Sequence, residues 1–426
     1  MKKIFWHVNV KPAVITEMQG ERVPGMSGGW LDSPIRYLMG LQDVQLCICY
    51  PVGGVEERGA SGNVEWIGVN YDFISLNRGQ VSASSYVSRY EEILRNFSPD
   101  VIHLHGTEYQ FAFFCVSAAE LCGMKERVVV SIQGVMHAMA RDYVLAIPRR
   151  ILQYTTLLEV IRGNWGYSIL KNFRKRSTYE LDVMRHAKHF IGRTSWDKAC
   201  LFLQNRRAIY HQNNESLRSC FYDGSSWSIE KCTRHTLYVS QASYAVKGVH
   251  FLLESLQILK PLYPDLRVQI AGADMSRSNR IFGTSYALYI KYLIKKYNLS
   301  ENVCFTGPLS AEQVKEKMLD CHVYVCPSAV ENSPNSLGEA MLLGMPCVCS
   351  NVGGVADMAT HEKEALLYPL NETYRLAYYI AQVFESDALA NSLGTAARER
   401  ALNTHDVDKN NQTLLDIYRK IMNDAK

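Results

Sequence analysis

The sequence has no apolar run near the roughly 18 residues needed to cross a bilayer. Its most apolar stretch, FAFFCVSAAELCGM, contains Glu120 and reads as a buried helix. At the amino terminus, MKKIFWHVNV, two lysines precede an apolar run too short for a signal peptide's core, and no small-residue cleavage site follows. The twelve cysteines form no C-x-x-C pair and show no zinc-like spacing. They read as reduced thiols packed as small hydrophobes, which excludes a disulfide framework and leaves metal chemistry without support. A net charge of +4 is too small to argue for nucleic acid, and the basic residues concentrate in one apolar-rich stretch. Low-complexity segments are absent too. The expectation is a cytoplasmic protein that binds no nucleic acid.

What is present is enough chain for two cores of about 200 residues each. IFWHVNV, VQLCICY, DVIHLH, RVVVSIQG and HFIGR read as buried parallel strands separated by helical stretches such as SYVSRYEEILRNF. The alternation restarts at TLYVSQ and continues through RVQIAG, NVCFTG, HVYVCP and MPCVCS. This predicts an α/β protein of two doubly wound, Rossmann-like domains facing a central cleft, with ligands at the carboxyl ends of the strands. The expected limits are residues 1–213 for the first domain, 214–235 for a polar, hinge-like connector, and 236–405 for the second. A final helix over 406–426 is expected to pack back on a domain, the first being the candidate.

The stretch ENSPNSLGEAM, residues 331–341, leaves the predicted strand HVYVCP where ligands are expected. Pro334 prevents one continuous helix. Glu331 is then presented by a loop and Glu339 by a helix predicted to start near Ser336. Ser336-Leu337-Gly338-Glu339 also fits an S-x-x-E capping box, so Glu339 has two readings: a cap, or an acceptor for ligand hydroxyls. The helix start would offer free N–H groups to an anion. Lys247-Gly248 follows the first strand of the second half. The lysine reads either as solvated or as a phosphate ligand, with Gly248 permitting close backbone approach. Gly353-Gly354 forms another strand-end turn. Gly28-Gly29 lies in a long segment after the first strand, where length without structure hints at function. His103 and His105 share a strand face; an H-x-H pair can bind metal, but no third ligand is evident.

These motifs, in this order, resemble the family 4 glycosyltransferases, enzymes of the GT-B fold that retain anomeric configuration. The resemblance covers essentially the whole chain and is strongest over residues 236–358, where PSAVENSPNSLGEAMLLGMPCVCSNVGGVADM matches the E-x7-E signature with its downstream strand and glycine pair. It implies a nucleotide diphosphate sugar, UDP- or GDP-linked, bound mainly by the second domain, with no separate cofactor or metal; no D-x-D motif lies near the predicted cleft. Glu331 would meet the donor sugar, Glu339 the ribose diol, and Lys247 the diphosphate as it leaves. Ser333, Pro334, Asn335 and Ser336 would contact sugar and phosphate oxygens, and Phe305 and Gly307 would lie by the base. Gly248, Gly28 and Gly29 complete the expected donor site. Two positions depart from the pattern: Gln241 replaces a common arginine, and Gln133, in SIQG, a common histidine. Glutamine can bond a hydroxyl but brings no charge. His105 could orient acceptor or donor sugar.

Residues 149–176 hold seven Lys or Arg and one acid, interleaved with aromatics. They read either as ordinary helices with a solvated basic side or as a surface for an anionic membrane, with Arg149, Arg150, Trp165, Lys171, Arg174, Lys175 and Arg176 facing it. The resemblance implies a retaining transferase that moves a hexose or N-acetylhexosamine to a glycan or lipid-linked glycan in bacterial capsule, exopolysaccharide or O-antigen synthesis, at the inner face of the plasma membrane. Two rivals are a non-catalytic sugar-nucleotide-binding partner of another transferase and, more distantly, an epimerase or phosphorylase on a similar scaffold.

Overall fold

A computed structural model describes residues 1–21, 29–77, 82–163, 166–241, 243–281 and 283–425. It contains two compact units. One comprises residues 1–140, 171–216 and 406–426, the other residues 141–170 and 217–405.

The first unit is built on eight strands: β1 Lys2–His7, β2 Val44–Val52, β3 Glu57–Ser61, β4 Val64–Asn70, β5 Val101–His105, β6 Val128–Ser131, β7 His189–Gly192 and β8 Ile209–Gln212. Their order is β3-β4-β2-β1-β5-β6-β7-β8, parallel throughout except for the β3–β4 hairpin. Strands covered on both faces read as near-continuous apolar runs, and β5 and β6 are buried along their full length, with His103, His105 and Ser131 as their polar members. Helices Ala83–Phe97 and Phe111–Leu121 cover one face, against Phe5, Ile102 and Leu104. Helices Asp32–Met39 and Val407–Asp424 cover the other, against Ile4, Trp6 and Leu46. The terminal helix is pinned there by the Tyr418 hydroxyl, which accepts from Trp6 Nε1 at 2.9 Å and meets His103 Nδ1 at 2.6 Å. His103 Nε2 meets Ser131 Oγ at 2.7 Å. Both ring nitrogens of His103 are thus spent inside the core, which removes the H-x-H metal pair.

The second unit holds β9 Thr233–Val239, β10 Arg267–Ile270, β11 Val303–Phe305, β12 Cys321–Cys326, β13 Cys347–Ser350 and β14 Leu366–Tyr368. All are parallel, in the order β11-β10-β9-β12-β13-β14. Each unit is therefore a Rossmann-like α/β layer structure. No helix among the described residues is long and apolar enough to cross a membrane.

Two expected boundaries are corrected. Residues 141–170 belong with the second unit rather than the first. Glu159 fixes them there: its buried carboxylate accepts from Ser285 N at 2.8 Å and Ser285 Oγ at 2.9 Å, while Thr156 Oγ1 donates to the Gly283 carbonyl at 3.0 Å. The stretch 214–235 is not a polar connector either. From Leu217 onward it packs into the second core through Leu217, Phe221, Trp227 and Ile229, and Trp227 Nε1 donates to the Cys321 carbonyl at 2.8 Å.

Candidate donor site

In the second unit, two loops leave the carboxyl ends of the adjacent strands β9 and β12. They touch where Gly248, at φ +69°, lies against Pro327: a Cβ added to Gly248 would stand 1.8 Å from the Pro327 carbonyl oxygen. Only glycine permits that approach in that conformation. Beside it, Ala329 N donates to the Val246 carbonyl at 2.7 Å. The two ties bring Lys247 Nζ to Glu331 Oε1 at 2.6 Å, with the side chains 18% and 12% exposed. The Gly353-Gly354 turn supports the same loop, because Gly354 N donates to the Glu331 carbonyl at 3.1 Å. Burial would lower the Lys247 pKa, but the neighbouring Glu331 carboxylate outweighs it and holds the ammonium above the ordinary lysine range.

The helix Asn335–Leu343 begins after Pro334 with no side-chain cap. Glu339 is its fifth residue, too far along to close a capping box, so that reading is overturned. Ser336 Oγ instead accepts from the Tyr324 hydroxyl at 2.8 Å. Glu339 is 4% exposed, and Arg218 grips both of its oxygens: Nε donates to Oε1 at 2.6 Å and Nη2 to Oε2 at 2.7 Å. The Arg218 guanidinium lies 5.0 Å from the centre of the Phe221 ring. Burial pushes the Glu339 carboxyl above its usual range, and Arg218 pulls it back. Sequence reasoning missed Arg218 because it lies in the stretch read as a connector, 121 residues from its partner. A ribose diol meeting Glu339 would have to share this carboxylate with the guanidinium.

The other expected donor residues surround the same strand ends. Gln241, just past β9, is exposed and held at φ +103°, a left-handed backbone that favours glycine. Phe305 ends β11 and is half-buried. Gly307 and Gly272, both at positive φ, exchange backbone hydrogen bonds of 3.1 Å each way. Ser333 and Asn335 are half-buried and Pro334 is buried.

The remaining expected site residues belong to the first unit. Gly29 lies in the turn before the helix Asp32–Met39, and Gly28 falls outside the described residues. His105 is sandwiched, its ring 3.8 Å from that of His103 and 4.4 Å from that of Trp6. Burial lowers its pKa to about 3, so it is neutral at pH 7. Gln133 lies just past β6, near Gly106 and half-buried. Two acids that sequence reasoning passed over hold these strand ends together. Glu108 accepts from Gly134 N at 2.6 Å and from Asn9 Nδ2 at 3.2 Å. Glu180 accepts from Thr107 Oγ1 at 2.8 Å, from the backbone of Met136 and His137 at 2.8 and 2.7 Å, and meets His137 Nδ1 at 2.7 Å. Burial would lower the His137 pKa, but the Cys200 thiol and Glu180 carboxylate raise it to about 9.

The basic stretch is divided between the units at 170/171. Arg149, Arg150, Lys171 and Arg174 are exposed and Lys175 is half-buried. Arg176 is buried, contrary to expectation: its guanidinium stacks 4.2 Å over the Tyr109 ring and Nε donates to the Glu108 carbonyl at 2.7 Å. It cannot face a membrane. Trp165 falls outside the described residues.

Comparison with known proteins agrees with this layout. Residues 226–400 match the sequence model of the family described as Glycosyl transferases group 1. The chain is 27% identical over 179 residues to the uncharacterized glycosyltransferase YqgM of Bacillus subtilis, covering 42% of this chain and 47% of YqgM. It is 26% identical over 183 residues to the putative colanic acid biosynthesis glycosyltransferase WcaL of Salmonella typhimurium, covering 41% and 42%. The matched regions thus span less than half of either relative. The fold aligns with Anabaena HepE, solved in complex with UDP, at a TM-score of 0.65 and 15% identity, covering 99% of this chain and all of that one. The match to the glycosyl transferases group 1 model thus falls within the second unit, and the two Rossmann-like sheets are those of the GT-B fold.

Proposed function

We propose that the protein is a retaining glycosyltransferase that moves a hexose or N-acetylhexosamine from a UDP- or GDP-sugar to a glycan or lipid-linked glycan. The setting is bacterial surface-polysaccharide synthesis at the inner face of the plasma membrane. The observation that carries the reading is the Lys247–Glu331 contact at the carboxyl ends of β9 and β12, held by the Gly248–Pro327 approach. Lys247 would meet the diphosphate and stabilise its charge as the glycosidic bond breaks, with the uncapped start of the helix Asn335–Leu343 adding backbone dipoles. Glu331, released from the ammonium by the incoming phosphate, would accept from sugar hydroxyls. Glu339, oriented by Arg218, would accept from the ribose. No step is assigned to a metal. The name of WcaL supports a polysaccharide product, and the UDP in the HepE structure supports a uridine donor.

The test is slow donor hydrolysis. Nucleotide sugars incubated with the protein should release nucleotide, and Glu331→Ala and Lys247→Ala should each abolish that release. A thermal-shift screen over UDP-, GDP- and ADP-sugars identifies the base, because a ligand of the folded state raises its melting temperature. Gln133 and Gln241, standing where the family 4 pattern commonly has histidine and arginine, favour a second reading: a sugar-nucleotide-binding partner of another transferase. Donor binding without turnover, even with lipid acceptors present, would select it.

A further inference from the structure

The segment Leu157–Arg162 is a helix with two unlike sides. Its inner side is fastened to the second unit by the buried Glu159 carboxylate, which accepts from Ser285 N and Oγ, and by Thr156 Oγ1 on the Gly283 carbonyl. Thr156 and Glu159 also close a capping box. Its outer side carries Leu157, Val160 and Ile161, spaced i, i+3, i+4 on one helical face, and they are 67%, 51% and 68% exposed. The hydrogen bonds to Gly283 and Ser285 place the loop before the helix Ser285–Lys296 next to this one, and that loop exposes Ile281 at 62%. A buried carboxylate with four hydrogen-bonding groups around it is an expensive way to hold a short helix whose outer face is aliphatic. Contiguous exposed apolar groups of this kind mark interaction surfaces.

The surrounding charge indicates the partner. Residues 149–163 and 274–285 contain Arg149, Arg150, Arg162, Arg277 and Arg280 against two acids: Glu159, which is buried, and Asp274, which pairs with Arg277 at 3.0 Å. Aliphatic side chains standing out of a surface whose own segments expose an excess of cations complement an anionic lipid interface: chains dip below the headgroups while guanidinium groups meet phosphates. We propose that this face of the second unit docks on anionic bilayers, with Leu157, Val160, Ile161 and Ile281 inserted and the arginines on the headgroups. The inference takes its purpose from the reading of a lipid-linked acceptor, but its test does not require turnover. Of the stretch 149–176 that the sequence offered as a membrane face, it keeps Arg149 and Arg150 and drops Lys171 and Arg174–Arg176, which belong to the first unit.

The experiment is co-sedimentation of the full chain with phosphatidylcholine vesicles and with phosphatidylglycerol-rich ones, at low and high salt. The wild type should bind the anionic vesicles only and lose binding as salt shortens the Debye length. Leu157→Ser/Val160→Ser/Ile161→Ser and Arg149→Glu/Arg150→Glu should each weaken binding about ten-fold or more. Both should keep the wild-type melting temperature and donor hydrolysis, since every altered side chain is exposed and outside the donor site. Unchanged vesicle binding by the triple variant overturns the proposal, as does equal binding to neutral vesicles. A wild-type dimer that the triple variant converts to monomer, without vesicle binding, assigns the face to a second copy and also overturns it. Vesicle binding without hydrolysis of any donor would sink the transferase reading and leave this one standing.

Discussion

Replacing Arg218 with methionine removes the guanidinium from a carboxylate that is 4% exposed and leaves Glu339 buried without its partner. Breaking a buried pair from one side costs about 3–5 kcal/mol. The Arg218 side chain is 26% exposed, so water can enter behind it, and the lower end, about 3 kcal/mol, applies. For a unit of this size each kcal/mol lowers Tm by about 2–4 °C, so the variant should melt roughly 6–12 °C below wild type. Arg218→Met/Glu339→Met should recover most of that loss, because it removes both desolvated charges together. The pH dependence has a definite sign. Burial raises the folded pKa of Glu339 above its unfolded value, and losing Arg218 raises it further. An acid shifted this way loses stability as pH rises from its unfolded pKa through its folded one. The variant's deficit should therefore shrink on acidification from neutrality towards pH 5, with the wild type showing the same trend more weakly. The assay is differential scanning fluorimetry across that range, with and without UDP. A variant that melts within about 2 °C of wild type at pH 7 would refute the reasoning, because it would mean that Glu339 is well solvated or already neutral.

Gly248→Ala should lower Tm and abolish donor binding together, since its Cβ would meet the Pro327 carbonyl oxygen at 1.8 Å in a left-handed backbone; the paired readouts are fluorimetry and nucleotide titration. Glu331→Gln should leave Tm within a few degrees, because both partners of the Lys247 contact are partly open to water, while hydrolysis of the donor falls by a hundred-fold or so, about 2.7 kcal/mol. The His137–Glu180 pair should stabilise the first unit at low pH: with His137 raised to about 9, its contribution is complete below the unfolded value near 6.5 and is lost as pH rises through about 9. The amplitude is about 3 kcal/mol at most, and Glu180→Gln should flatten that part of the Tm-against-pH curve.

The strands were readable because burial on both faces favours near-continuous apolar runs: β5, β6, β12 and β13 are buried at every position, and only His103, His105, Ser131, His322 and Ser350 interrupt them. Lys247 and Glu331 were readable for a related reason: they lie in the loops that leave β9 and β12, which are neighbours in the sheet. Where a residue's meaning depends on a distant partner, the local pattern is silent or misleading. SLRSCFY looks like linker, yet Arg218 is committed to a carboxylate 121 residues away and Phe221 to the second core. Leu157–Arg162 has the same amphipathic spacing whichever unit it joins; only the Glu159–Ser285 bonds decide. The Ser336–Glu339 spacing suits a capping box, but the helix starts at Asn335 with Pro334 as its N-cap, so the box would close two residues too late. Arg176 and Arg174 have the same charge two positions apart, and the turn of the helix Gly166–His186 puts one over Tyr109 and the other in solvent. The two glutamates are therefore held differently: Glu331 meets the Lys247 ammonium, a cation that the proposed diphosphate would take over, whereas both oxygens of Glu339 are locked to Arg218 in one fixed orientation.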